Sequence, residues 1–146
     1  MTAAKGVNYT KAASPSPATY MGTEYQGRVV AIMDKYECAS LAVGSTIVVG
    51  KLNKGETFFA GWITADDLTS AGTLALGDIK ASDGSTVGDA DRYLAATVFT
   101  TANQQTACNA EAGRAYTATE DMLIALTTAT EEMTGTIFVQ ILKVVP

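Results

Sequence analysis

The sequence predicts an all-β protein, a jelly-roll-like antiparallel β-sandwich over residues 26–146 preceded by an extended N-terminal arm over residues 1–25. Three observations predict it. From Gln26 onward the chain consists of short apolar runs of strand length separated by turn residues. About eight such runs, punctuated by glycine, fit the 146 residues as one domain. Before Gln26 the composition is different, with a Ser-Pro-Ser-Pro stretch around Pro15 and Pro17 and almost no aliphatic side chain apart from Val7. With 47% hydrophobic and 17% charged residues, the chain as a whole lies outside the disordered regime.

The arm lacks the apolar surface to offset its own ordering entropy, so a partner would be needed to order it. Val7, Tyr9, Tyr20 and Tyr25 are either incidental or its anchor points, tyrosine offering large contact area with few rotatable bonds. The first run, Arg28 to Tyr36, is apolar on both faces at its centre, from Val29 to Met33. The second, Thr46 to Leu52, carries the β-branched residues Ile47, Val48 and Val49. Asn53, Lys54 and Gly55 then form a short turn, which predicts a hairpin with the third run, Glu56 to Ala65.

Strict alternation in the third run puts Phe58, Ala60 and Trp62 on one face and Phe59, Gly61 and Ile63 on the other. Both faces are apolar, whereas a two-sheet sandwich covers only the inner one. The last run repeats this, with Ile137, Val139, Ile141 and Val145 against Phe138, Leu142 and Val144. Subunit contact is one cover for the outer face and the chain's own loops are another. Under the first reading Phe58, Trp62, Phe138 and Leu142 form an oligomer interface.

Between these lie a run at Thr73 to Leu76, a turn-rich stretch from Gly77 to Asp91, and Arg92 to Phe99, which reads as an irregular strand ahead of a short helix capped by Asp89 or Asp91. The polar stretch Thr100 to Gly113 reads as a long loop, followed by runs at Ala115 to Thr119 and Met122 to Thr127 and a turn at Ala129 to Gly135.

Composition narrows the chemistry. The chain has no histidine, and Cys38 lies far from Cys108, so neither a nucleophile–base pair nor a metal knuckle is indicated and both thiols are expected free. Asp78, Asp83, Asp89 and Asp91, among Gly77, Gly84 and Gly88, offer oxygens for a structural calcium ion but do not have EF-hand spacing, and they read as turn formers ahead of a metal site. The adjacent pairs Asp66–Asp67 and Glu131–Glu132 would point to opposite faces of a strand. No phosphate-binding glycine loop is present. No catalytic residue, metal or cofactor is therefore expected. A net charge of −5 without a basic cluster predicts no nucleic-acid or membrane partner. The N-terminus has no signal-peptide pattern, and no apolar stretch reaches bilayer length, which predicts a soluble chain.

Several segments carry a resemblance. Lys51-Leu52-Asn53-Lys54-Gly55 precedes an apolar strand, and Thr73 to Asp78 is followed by Gly88-Asp89-Ala90-Asp91-Arg92-Tyr93-Leu94. Ala112, Gly113, Ala115, Tyr116 and Thr117 come next, and Thr134 to Ile137 opens the last run. The chain from roughly Lys51 to Val145 resembles a group of small tailed-phage head proteins. In that group a Lys-Leu-Pro-Lys-Gly turn leads into a strand, a Leu-Gly-Asp and Asp-Ala-Asp-Arg-Tyr-Leu segment follows, and a Thr-Gly-Thr-Ile strand closes the chain. Asn53 stands where proline is more usual, and neither the arm nor Thr100 to Gly113 is matched.

The resemblance implies a virion structural protein, assembled in the host cytoplasm, that decorates and cements the outside of a bacteriophage capsid. Its partners would be the major capsid protein and further copies of itself, in a trimer ahead of a dimer. The alternative is a tail, fibre or receptor-binding component in low copy number, with its binding side chains in Gly77 to Asp91 and Thr100 to Gly113.

Overall fold

The computed structural model describes residues 28–68, 71–80, 87–109 and 115–146. Eight strands account for most of them: β1 Arg28–Leu41, β2 Thr46–Leu52, β3 Thr57–Ala65, β4 Thr73–Lys80, β5 Val87–Val98, β6 Gln104–Ala107, β7 Met122–Ala129 and β8 Met133–Val145. They form two four-stranded sheets, ordered β1-β8-β3-β6 and β2-β7-β4-β5, and every pairing is antiparallel. Only β4 and β5 are both consecutive in the chain and adjacent in a sheet. This is the jelly-roll arrangement that the sequence predicts.

Alternation along the strands fills the space between the sheets. Leu52, Ile63, Leu74, Leu76, Ile124, Leu126, Met133, Ile137 and Ile141 are all completely buried there. Phe58 and Tyr93 add a stacked aromatic pair, with ring centroids 4.1 Å apart. Burying side chains of this size contributes about 1.5–3 kcal/mol each.

Four sequence expectations are corrected. The Asn53–Gly55 turn does not make a β2–β3 hairpin, because β2 pairs with β7 while β3 pairs with β8 and β6. The turn is a corner between sheets. Gly55, with φ +89°, bonds through its N–H to Ala118 O, and Phe58 N–H bonds to Tyr116 O, so the chain entering β3 is claimed by residues 116–118. The predicted strand Ala115 to Thr119 accordingly reduces to one bridge, Thr57 to Thr117.

The polar stretch after Thr100 holds a strand, β6, on the edge of the first sheet. Its ladder to β3 is made by backbone groups, and Gln104 Nε2 donates to Val98 O, so the strand forms without the apolar side chains that signal one in sequence.

The fourth correction is a bulge. Phe58 lies opposite Lys143 and Ala60 opposite Leu142, which leaves Phe59 as an extra residue in β3. One inserted residue reverses the alternation beyond it. Phe58 therefore shares the core side with Gly61 and Ile63, and Trp62 points the other way.

Candidate functional site

The outer face of the β1-β8-β3-β6 sheet carries a row of exposed apolar side chains. Ladder register orders it into rungs: Glu37 beside Thr136, Lys35 beside Phe138 and Thr64, Met33 beside Gln140 and Trp62, and Ala31 beside Leu142 and Ala60. Met33 is 75% exposed, Phe59 60%, Val29 53% and Phe138 46%. Lys35 Nζ lies 5.6 Å from the centre of the Phe138 ring, covering part of it. A depression of about 170 Å³ opens beside Phe59 and Trp62, floored by Gly61 and walled by Ala107, Cys108 and Asn109.

Of the four residues expected at an oligomer interface, the fold brings Trp62, Phe138 and Leu142 onto this face, with Trp62 and Leu142 half-buried. Phe58 is excluded: it is 1% exposed and packs on Tyr93 within the core. Met33, Val29 and Phe59 join the face in its place, Phe59 because the bulge turns it outward. Val7, Tyr9, Tyr20 and Tyr25 lie outside the described residues.

One end of this face is acidic. Thr136 binds two carboxylates at once, its Oγ1 lying 2.8 Å from Glu37 Oε2 and its N–H donating to Asp66 Oδ2 at 3.2 Å. Asp67 is exposed next to Asp66, and Glu132 is exposed in the β7–β8 turn at the same end. At the other end, where Arg28 faces Val145, stand Lys51, Lys54 and Lys143.

Glu56 organises that second end. Its carboxylate accepts from Lys143 Nζ at 2.6 Å, Asn53 N–H at 2.8 Å and Asn53 Nδ2 at 3.1 Å. Burial alone would raise its pKa, but the hydrogen bonds from Lys143 and Asn53 and the ammonium charge hold it below the ordinary glutamate value. Proline, more usual at position 53 in the family resembled, has no N–H for this bond.

The aspartate group that sequence reading assigned to turns has a structural centre. Asp78 is buried, and its Oδ2 accepts from Arg92 Nε at 2.5 Å and from the Tyr93 hydroxyl at 3.1 Å. Arg92 also lies 4.0 Å over the Tyr116 ring and 3.8 Å from Asp89. Burial opposes the charge on Arg92, but the hydrogen bond and charge of Asp78 outweigh it and raise its pKa. Burial, then the charge of Asp78, push the Tyr93 phenol far above its ordinary value and keep it a donor.

Between the Leu76–Leu94 and Asp78–Asp89 pairs β5 carries extra residues, and this irregularity turns Arg92 and Tyr93 toward Asp78. Gly77 and Gly88 are required by the same packing. A Cβ at Gly77 would meet Asp89 O at 2.0 Å, and one at Gly88 would meet Asp78 Oδ1 at 2.3 Å. Among the described residues no group of three or more acidic or cysteine side chains is placed to hold a metal ion. Asp83 lies outside them.

Both cysteines are free. Burial, aided by the charge of Glu37, raises the pKa of Cys38, and burial pushes the Cys108 thiol up to about 12. Among the described residues neither has the electropositive surroundings of a reactive thiolate. Among the described residues no helix is long and apolar enough to cross a membrane.

No family model matches this chain, and no curated protein matches its sequence. Solved structures do match. A chain from the capsid of Ralstonia phage GP4 superposes with a TM-score of 0.64 at 21% identity, over 82% of this chain and 86% of that one. A chain from the capsid asymmetric unit of cyanophage Pam1 gives 0.63 at 19% identity over the full length of both. One from the acid-stable capsid of Helicobacter pylori bacteriophage KHP30 gives 0.58 at 12%, over 81% and 88%. The fold is that of phage-capsid jelly rolls.

Proposed function

We propose that this chain is a virion structural protein that binds the outside of a bacteriophage capsid and cements it as a homo-oligomer. The observation that carries the reading is the exposed face of Met33, Phe59, Trp62, Phe138 and Leu142 on a fold shared with phage-capsid chains. Contiguous apolar surface of this kind marks protein contact.

In this reading the outer sheet face packs against further copies around a local axis, a trimer ahead of a dimer. The arm, with Val7, Tyr9, Tyr20 and Tyr25, reaches onto the major capsid protein or a neighbouring copy. Cementing needs no catalytic step and no cofactor. A ligand that binds only the assembled shell stabilises it by mass action, by about 4 kcal/mol per site at a free concentration a thousandfold above its Kd. Joining copies adds avidity, because one docked subunit holds the others at high effective concentration.

The test is the number of copies per particle, by quantitative mass spectrometry of purified virions against the major shell protein. A ratio near one to one, or a simple fraction of it, is expected. A dozen copies or fewer would move the chain to the tail or a vertex, and its absence from virions would overturn the reading.

A further inference from the structure

A sheet edge carries a row of N–H and C=O groups with no strand beside them, and folded chains blunt such edges with short strands or bulges. Three of the four edges here are blunted: β6 has four residues, and β2 and β5 run in broken register with their neighbours. The fourth is not. β1 is 14 residues long and pairs with β8 without interruption from Arg28 to Cys38.

The ladder fixes which backbone groups of β1 are free. Thr136 donates its N–H to Asp66 Oδ2 and accepts from the Asp66 N–H, so its backbone faces β3 and not Glu37, its opposite number on β1. Antiparallel pairs alternate, so Glu37, Lys35, Met33, Ala31 and Val29 all turn their N–H and C=O to the open side. The Lys35 N–H is accordingly taken by its neighbour's side chain, Asp34 Oδ1, at 2.8 Å. All five of these residues are exposed.

We infer that β1 pairs edge to edge with β1 of a second copy, antiparallel about a two-fold axis at Ala31, which joins two β1-β8-β3-β6 sheets into one. The edge is complementary to itself in that register. Arg28 of each copy faces Asp34 of the other, with Val29 against Met33 and Val30 against Ile32 between them. Ala31 against Ala31 and the two Val29–Met33 pairs exchange about six backbone hydrogen bonds. Neither Arg28 nor Asp34 has an ion-pair partner among the described residues.

Other registers fit worse. Centring on Asp34 or Lys35 sets like charges against each other, centring on Ile32 sets Asp34 against Val30, and centring on Met33 sets Glu37 against Val29. Centring on Tyr36 matches Lys35 with Glu37, but it needs the Lys35 N–H that Asp34 holds and sets Asp34 against the buried Cys38. The chain's own arm does not carry the pattern either. An antiparallel segment would need a carboxylate opposite Arg28 and a cation six residues before it, opposite Asp34; Glu24 is the only carboxylate ahead of Arg28, and Ala18 stands where the cation would be. The contact between copies is isologous and closes at two. It covers Val29 and Met33 and leaves Phe59, Trp62 and Phe138 of both copies on one continuous outer face.

The inference rests on the proposed self-association, names an edge for it that is separate from the outer face, and is tested in solution with the full chain. Arg28→Asp and Asp34→Arg should each weaken association about tenfold in sedimentation, because two attractions become two repulsions. Mixing the two variants should restore association, since every Asp then meets an Arg, and the double variant should associate as the parent does. Hydrogen exchange at the Ala31 and Met33 amides should slow as protein concentration rises, because the second copy supplies their acceptors. Association unchanged by both single variants, or not restored by mixing them, would overturn the inference. So would protection of the Ala31 amide that is independent of concentration, which would put the chain's own arm on the edge. Phe138→Glu reads the outer face and virion copy number reads the capsid role, so each of these can fail while the edge pairing stands, and the reverse.

Discussion

Arg92 is bound to the buried Asp78 through its Nε while its guanidinium plane lies 4.0 Å over Tyr116. The pair ties β5 to β4 and to the segment that bridges to β3, so it joins the two sheets at their least regular point. Asp78→Ala would leave the Arg92 guanidinium partly buried with its main partner removed. Breaking such a pair costs about 3–5 kcal/mol. Denaturant unfolding should show that loss, and a change within 0.5 kcal/mol would refute the role.

Glu56 makes stability depend on pH. Its folded pKa is depressed by Lys143 and Asn53, so its contribution is fully present above the unfolded value of about 4.3 and is lost as the pH falls through the lower folded value. Glu56→Gln should lower stability at pH 7 by about 1–3 kcal/mol. The gap between the two proteins should narrow below about pH 4. Thermal unfolding at pH 7 and pH 3 checks the sign, and a gap that widens in acid would contradict it.

Phe58 and Phe138 should answer oppositely to substitution. Phe58→Ala empties the core beside Tyr93 and should cost about 3–5 kcal/mol. Phe138→Glu, on the exposed face, should change monomer stability by only about 0.5 kcal/mol. It should, however, reduce self-association, read by sedimentation. Strong destabilisation by Phe138→Glu would show that the face is structural rather than a contact surface.

The contrast between these two phenylalanines shows what was legible in the sequence. Both belong to runs apolar on both faces, and apolar side chains do stand exposed on the outer face of the sheet. Assigning Phe58 to it failed because strict alternation holds only in an unbroken ladder, and the bulge at Phe59 has no glycine or proline to mark it. The hairpin expectation failed differently. Asn53-Lys54-Gly55 is a sound turn, but which sheet receives the next strand is decided by the distant residues Tyr116 and Ala118. The Gly88-Asp89-Ala90-Asp91-Arg92-Tyr93-Leu94 segment was recognised by resemblance, while its reason, a buried carboxylate met by Arg92 and Tyr93, needed the fold. The strand β6 was invisible because its ladder to β3 and the hydrogen bonds of Gln104 and Gln105 hold it, without an apolar run to mark it.

The thiols should be nearly inert in the folded chain. With Cys108 pushed up to about 12, its thiolate fraction at pH 8 is roughly a thousandfold below that of a free cysteine. Alkylation by iodoacetamide should be slow until denaturant is added, for Cys38 as well, which is 2% exposed. Rapid labelling of Cys108 in native buffer would show that the depression beside Trp62 opens.

The strand order also fixes when this protein can fold during its synthesis. β1 and β3 have no shared neighbour until β8 has been made, and β2 and β4 wait in the same way for β7. Before β7 has been made, only the β4–β5 pair and, once β6 has followed, the β3–β6 pair can form. The second sheet is therefore completed by β7 and the first only by β8, the last of the eight strands, so β2 stays unpaired until β7 arrives and β1 until β8 does.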